Sequence, residues 1–93
     1  MKNEGIILKD IRIKETIFKK LKGILIKEFE IPENKIKKQT NLTNDLDLDS
    51  LDLIDLLVCI EKEFDIKFNY ELRIKDDSIL YDVIKLIIGK IKK

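Results

Sequence analysis

One serine, Ser50, stands inside the most acidic part of this 93-residue chain. Residues 45–65 hold eight carboxylates and a single basic residue, Lys62. Asp49 is a good N-cap for a helix, and Asp52 follows at the third helical position, as in a variant of the capping box. A serine in the first turn lies beside free backbone N–H groups and the positive end of the helix dipole, so a phosphodiester on its hydroxyl would be favourably placed. An isolated Asp-Ser-Leu triplet, however, usually does no more than start a helix.

The alternating acids also invite comparison with a calcium-binding loop. Asp45, Asp47 and Asp49 have the spacing of the first ligands of an EF-hand. That pattern then needs glycine where Ser50 stands and glutamate where Leu56 stands. Because both positions are wrong, we expect no calcium site and no other metal site here.

The composition removes most enzyme chemistry. The chain has no histidine and one cysteine, Cys59, so a Cys/His zinc site and a histidine-dependent nucleophile are both excluded. Its glycines, Gly5, Gly23 and Gly89, are too far apart for a phosphate-binding loop. We therefore predict that the protein is not an enzyme and that Cys59 is a small buried hydrophobe.

Charge is divided unequally along the chain. Residues 1–40 carry 11 basic and 6 acidic side chains, whereas residues 41–93 carry 8 basic and 12 acidic ones. The acidic segment favours a basic protein partner over nucleic acid. No apolar run is long enough to cross a membrane, the start does not resemble a signal peptide, and a lone cysteine forms no internal disulfide, so we expect a cytoplasmic monomer.

Hydrophobic spacing predicts an all-α fold. The first helix is expected over residues 13–29, because Pro32 pushes Ile31 out of the helical conformation and so ends the helix shortly before it. Residues 1–12 are expected to form an extension that is either a loose arm or an extra turn. A long polar connection follows, and single apolar residues are expected to hold it against the helices: Ile31, Ile36, Leu42, Leu46 and Leu48. The second helix is expected from the Asp49 cap to about Phe64.

Two further segments complete the predicted bundle. A short helix is weakly indicated near residues 70–74. The last helix is expected to begin with Ser78 as its N-cap and to direct four side chains inward: Val83, Ile84, Ile87 and Ile91. The whole is a small bundle of three main helices and a short one, with a single domain over residues 13–93.

The second helix has more apolar residues than burial requires. Leu53, Ile60 and Phe64 share one face with Leu57, which is enough to pack the helix against a core. Leu51, Ile54 and Val58, which we call the docking stripe, fall on the opposite side among acidic residues. Exposed apolar residues rimmed by charge are typical of a docking surface, although they could instead pack beneath the loop or the N-terminal arm.

Taken together, these features resemble the acyl carrier proteins. The resemblance rests on the run from Asp45 to Leu56, DLDLDSLDLIDL, and on the run from Glu61 to Ile66, EKEFDI. The lengths of the first helix and of the long loop, and a last helix opening near Ser78, agree with the same family. The similarity covers roughly residues 13–88.

The resemblance implies a specific chemistry. A phosphopantetheinyl transferase would attach phosphopantetheine from coenzyme A to Ser50, and the thiol of that arm would carry acyl groups as thioesters. Partner enzymes that transfer, condense or ligate acyl groups would present basic patches to seven residues: Asp49, Leu51, Asp52, Ile54, Asp55, Val58 and Glu61. The acyl chain would be sheltered by four others: Leu42, Leu46, Ile60 and Val83.

The chain departs from the family at informative positions. Asp47 stands where glycine is usual, and Lys62 stands where an acid is common; the latter, with the basic N-terminal half, hints at a dedicated carrier. The segment before the serine lacks the Gly-Gly of peptidyl carriers, which favours fatty-acyl or polyketide-type cargo. An aminoacyl or peptidyl carrier and an unmodified helical interaction module are the alternatives.

Overall fold

The fold is built from three α-helices and one short 3₁₀ helix within the ranges that the structure describes. A computed structural model describes the backbone of residues 2–68 and 78–91, and side chains from Arg12 onward. The elements in chain order are α1 (Lys2–Phe29), the 3₁₀ helix (Glu33–Lys35), α2 (Ser50–Phe64) and α3 (Leu80–Ile91). The only strand-like pairing in those ranges is an isolated bridge between Asn41 and Ile79. The predicted all-α bundle is confirmed.

α1 is the central element, because it packs against both α2 and α3. Its fully buried residues Leu21 and Leu25 meet Leu56 of α2 and Ile84 of α3 in one apolar core. The long loop closes this core, since all five of its predicted apolar anchors are buried: Ile31, Ile36, Leu42, Leu46 and Leu48. The loop is therefore packed across the helices, as the sequence predicted.

α1 begins earlier than its predicted start at residue 13. The helix runs without a break from Lys2, and it ends at Phe29 as predicted. Glu30 then takes a left-handed conformation, with φ of 54°, and the N–H of Ile31 donates to the Leu25 carbonyl. The division into an extension over residues 1–12 and a carrier domain over residues 13–93 stays a prediction.

α3 differs from the prediction at both ends. It begins at Leu80, so Ile79 and not Ser78 precedes the helix, and the N–H of Ile79 donates to the Asp82 carboxylate at 3.0 Å. Val83, Ile84 and Ile87 are buried as predicted, but Ile91 is 45 % exposed. The prediction for Ile91 was wrong because the last turn of α3 extends past the core. The predicted short helix at 70–74 lies outside the described residues.

Candidate functional site

Ser50 is the first residue of α2, and a complete capping box holds the helix start on which it stands. The Asp49 carboxylate accepts a hydrogen bond from the Asp52 N–H at 2.8 Å, and the Asp52 carboxylate accepts one from the Asp49 N–H at 3.1 Å. Each carboxylate thus satisfies a backbone donor that the helix itself cannot pair. The Ser50 side chain is exposed, and its hydroxyl is not engaged by any described residue.

The loop before Ser50 is organised by Asn41. The Asn41 side-chain carbonyl accepts from the N–H groups of Thr43 and Asn44 at 3.0 and 2.8 Å, while the Asn41 N–H donates to the Asp45 carboxylate at 2.7 Å. This is the Asx-turn arrangement that asparagine favours. Asn41 was not among the residues predicted from the sequence, although the Asn-Leu-Thr-Asn-Asp run has the composition of such a turn.

Asp47 occupies the turn immediately before the serine in a left-handed conformation, with φ of 59°. Its N–H donates to the Thr43 carbonyl at 3.0 Å, and the next N–H, that of Leu48, donates to the Leu42 carbonyl at 3.2 Å. Aspartate adopts this conformation more readily than most residues. The turn that usually contains glycine in the family is therefore formed here with aspartate.

Backbone hydrogen bonds tie the same loop to the start of α3. The Leu42 N–H donates to the Ser78 carbonyl at 3.0 Å, and the Leu80 N–H donates to the Thr40 carbonyl at 2.9 Å. Thr40 is buried, and its hydroxyl donates to the Lys35 carbonyl at 2.9 Å. These contacts fix the position of the loop, and hence of Ser50, relative to the core.

The docking stripe is exposed, as the face analysis predicted. Leu51 is 70 % exposed, Ile54 57 % and Val58 43 %. Asp55 lies between them in sequence and is also exposed. The alternative, in which these apolar residues pack beneath the loop or the arm, is excluded for the described residues. The structure thus brings four of the seven predicted docking residues together on an open face of α2.

The other three predicted docking residues have roles inside the chain. Asp49 and Asp52 form the capping box. Glu61 is half-buried, and its carboxylate accepts from the Phe68 N–H at 2.9 Å. The Glu61 carbonyl also accepts from the N–H groups of Asp65 and Ile66 where α2 ends. Any contact of these three with a partner would be made by groups that already support α2.

The four residues predicted to shelter an acyl chain all lie in the core. Ile60 and Leu42 are fully buried, Val83 is 1 % exposed and Leu46 is 7 % exposed. They belong to one continuous apolar cluster that includes residues from the loop, α2 and α3. Their surroundings are apolar enough for a hydrocarbon chain, although the side chains of the protein fill this region.

A separate open groove of about 560 Å³ lies between α1 and α2. Its lining includes Lys20, Lys27 and Glu28 of α1 with Cys59 and Glu63 of α2. The Cys59 thiol is half-buried, and burial, reinforced by the negative charges of Glu28 and Asp55, raises its pKa. A thiol held protonated in this way is a weak nucleophile. Cys59 packs against the core as predicted, but it is half-buried at the groove and not buried as the sequence suggested.

The described residues contain neither a metal-binding cluster nor a membrane-spanning helix. No group of three or more cysteine or carboxylate side chains there is arranged to hold a metal ion. No helix in the same ranges is both long and apolar enough to cross a membrane.

A small helical bundle that presents an exposed serine at the start of an acidic, partly apolar helix has the arrangement of a carrier domain. The family profile of the phosphopantetheine attachment site matches residues 19–79 of this chain, which includes Ser50. The chain therefore belongs to the acyl carrier protein family, whose prosthetic group is a covalently attached phosphopantetheine. Members of this family are carriers, not catalysts.

Individual acyl carrier proteins show the same similarity. That of Coprothermobacter proteolyticus is 38 % identical over 74 residues, which cover 80 % of this chain and 89 % of the relative. That of Thermotoga maritima is 32 % identical over 78 residues, covering 84 % and 95 %. That of Lactobacillus acidophilus is 42 % identical over 50 residues, covering 54 % and 62 %.

Proposed function

We propose that this protein carries acyl groups as thioesters on a phosphopantetheine arm attached to Ser50, for fatty-acid or polyketide-type synthesis. The observation that carries the proposal is the exposed Ser50 hydroxyl at a capped helix start, inside the segment that matches the family. The acyl carrier proteins to which the chain is similar support acyl cargo. No structural observation favours an aminoacyl group.

The local geometry fits a phosphodiester on Ser50. The side chain is exposed, so a transferase can reach the hydroxyl oxygen that would form the new bond to phosphorus. The first turn of α2 places the positive end of the helix dipole beside the resulting negative charge, which opposes the repulsion from Asp49 and Asp52. The arm, once attached, supplies the thiol that holds the acyl group.

The exposed face of α2 is the proposed docking surface for partner enzymes. Leu51, Ile54 and Val58 offer apolar contacts, and Asp55 offers a charge to the basic patches of a transferase and of acyl-transferring, condensing or ligase enzymes. Asp49, Asp52 and Glu61 would add charge at the edges of this surface. The buried cluster of Leu42, Leu46, Ile60 and Val83 is the proposed shelter for the acyl chain, which would enter as these side chains separate.

Mass spectrometry of the modified protein tests the assignment of Ser50. The unmodified protein, incubated with coenzyme A and a broad-specificity phosphopantetheinyl transferase, should gain the mass of one phosphopantetheine. Ser50→Ala should gain nothing while keeping its helical circular dichroism signal. Ser78→Ala is the matched control, since it removes the other serine of the chain, and it should still be modified.

A modified Ser50→Ala variant would refute the attachment site. Failure of the wild-type protein with several transferases would favour the unmodified interaction module instead. Cytoplasmic localisation stays a prediction from the sequence.

A further inference from the structure

α1 carries a row of basic and small residues on the side that faces solvent. Arg12, Thr16, Lys19, Gly23 and Lys27 recur at three- and four-residue spacing, so they lie on one face of the helix; we call them the basic row. Arg12, Thr16, Lys19 and Lys27 are exposed and Gly23 is half-exposed. The two carboxylates among the described side chains of α1 flank this row: Glu15 lies one turn from both Arg12 and Lys19, and Glu28 follows Lys27 in sequence.

Lys19 and Lys27 of the basic row make fewer close contacts than the other described lysines of α1. Lys14 donates to the Tyr81 hydroxyl at 3.3 Å, Lys22 pairs with Glu33 at 3.5 Å, and Lys20 pairs with Glu63 at 3.7 Å. Lys19 and Lys27 form no close ion pair with a described side chain. The pKa of Glu15 is nevertheless lowered, mainly by its hydrogen bond with Lys38 and to a smaller extent by the charge of Lys19. The charge of Lys27, and part of that of Lys19, is therefore available to a partner.

An exposed apolar residue adjoins the basic row. Ile26 is 38 % exposed and lies next to Lys27 in sequence, one helical turn from Lys22 and Gly23 and two turns from Lys19. A side chain built at Gly23 would meet nothing within 4 Å, because Gly23, like Lys27, lines the open groove between α1 and α2. This surface has an apolar contact surrounded by positive charge, which is the electrostatic complement of the docking stripe on α2.

The docking stripe is shorter than the basic row. At 1.5 Å per residue, the row extends about 22 Å and the stripe about 10 Å, so the stripe would cover about half of the row. The open space at Gly23 leaves room for a partner side chain between Lys19 and Lys27. The net charge of +1 leaves little long-range repulsion between copies.

We propose that the basic row of one copy of this chain binds the docking stripe and Asp55 of a second copy, in a weak association that salt disrupts. Charge complementarity selects this partner, because the docking stripe is the acidic and apolar surface that the described structure itself provides. The association would cover α2 and so compete with the enzymes that dock there. It departs from the monomer expected from the sequence, which the protein would still be at moderate salt and low concentration.

Sedimentation velocity over a range of protein concentrations tests this association. Raising monovalent salt from about 10 mM to above about 150 mM shortens the screening length from about 30 Å to about 8 Å. Concentration-dependent association should be present at low salt and at least about tenfold weaker at high salt. The measurement uses unmodified protein, and Ser50→Ala should associate like the wild type, so the outcome is independent of the proposed attachment site.

Charge-reversal variants localise the contact. Lys19→Glu combined with Lys27→Glu should abolish self-association at low salt, whereas Lys35→Glu combined with Lys37→Glu should retain it. The second pair changes the net charge equally at exposed positions outside the basic row. Asp55→Lys should also fail to self-associate, yet it should associate with the Lys19→Glu, Lys27→Glu variant, since one native pair of surfaces remains in that mixture.

Three results would overturn the proposal. Wild-type protein that stays monomeric at low salt would exclude the contact. Equal loss in the control pair would mean that net charge, not the basic row, controls association. Binding of the basic row to vesicles of anionic phospholipid without self-association would identify a lipid surface as its partner. Circular dichroism of each variant shows whether the fold is intact.

Discussion

Asp47 shows how a single residue shapes the approach to the modified serine. Its φ of 59° is a conformation that glycine adopts without strain and that aspartate tolerates better than most residues. The hydrogen bonds of its N–H and of the Leu48 N–H need this backbone shape. The chain thus keeps the turn before Ser50 at a modest conformational cost.

Substitutions at Asp47 should therefore follow backbone preference. Asp47→Gly should leave the free energy of unfolding unchanged or raise it by up to about 1 kcal/mol, and Asp47→Ala should lower it by about 1 kcal/mol. Urea unfolding measures both. Asp55→Gly is the matched control, since the same change inside exposed α2 should destabilise by about 1 kcal/mol. Equal losses from the two glycine substitutions would contradict the strain argument.

Individual residues were predictable where the signal is local. The exposure of Leu51, Ile54 and Val58 followed from helical spacing alone, because one turn of a helix decides which side a residue occupies. The role of Glu61 did not follow from helical spacing, because its partner is the Phe68 N–H, which lies seven residues further on in a segment without periodicity. Asn41 was missed for a related reason, because the turn it organises contributes no hydrophobic pattern.

Among the elements, α2 was predicted most accurately because its boundaries are encoded locally. The capping box supplies its start, and Asp65, with φ of 54°, ends it in the left-handed conformation. The start of α3 combines a local hydrogen bond, from the Ile79 N–H to the Asp82 carboxylate, with the pairing of Ser78 with Leu42, a contact between distant segments that the sequence pattern does not reveal. The predicted start of α1 was wrong because Gly5 and Asp10, which could have interrupted or begun a helix, are accommodated within it.

The two faces of α2 should separate function from stability. Val58→Ala should slow modification by the transferase with little change in melting temperature, because Val58 is exposed. Ile60→Ala, two residues on and fully buried, should lower the free energy of unfolding by about 2–5 kcal/mol. Asp49→Ala should both slow modification and lower the free energy of unfolding, the latter because loss of an N-cap costs about 1 kcal/mol. A Val58→Ala variant that melts far below the wild type would place Val58 in the core.

At the scale of the whole molecule, the basic N-terminal half partly neutralises the acidic one. Lys20 of α1 pairs with Glu63 near the end of α2 and lies 5.6 Å from the centre of the Phe64 ring. Lys38 pairs with Glu15, and this hydrogen bond holds the pKa of that carboxyl below its ordinary value. These are contacts within the basic half or at the far end of α2, so they leave the acids around Ser50 without a described lysine partner.

The balance of these charges predicts how stability responds to salt. Carboxylates at positions 45–55 repel one another, and only those near the start of α2 gain from the helix dipole, so monovalent salt should raise the melting temperature by a few degrees. Lys20→Gln should melt lower at low salt by about 2–4 °C, since an exposed pair contributes about 0.5 kcal/mol and 1 kcal/mol shifts a small domain by about 4–8 °C. The rise in its melting temperature on adding salt should exceed that of the wild type, because Glu63 then lacks its basic partner. Dilute samples keep self-association out of these melts. A melting temperature unmoved by salt, magnesium and calcium would mean that the lysines already compensate the acids, and a saturable response to calcium alone would restore the metal site that the sequence argued against.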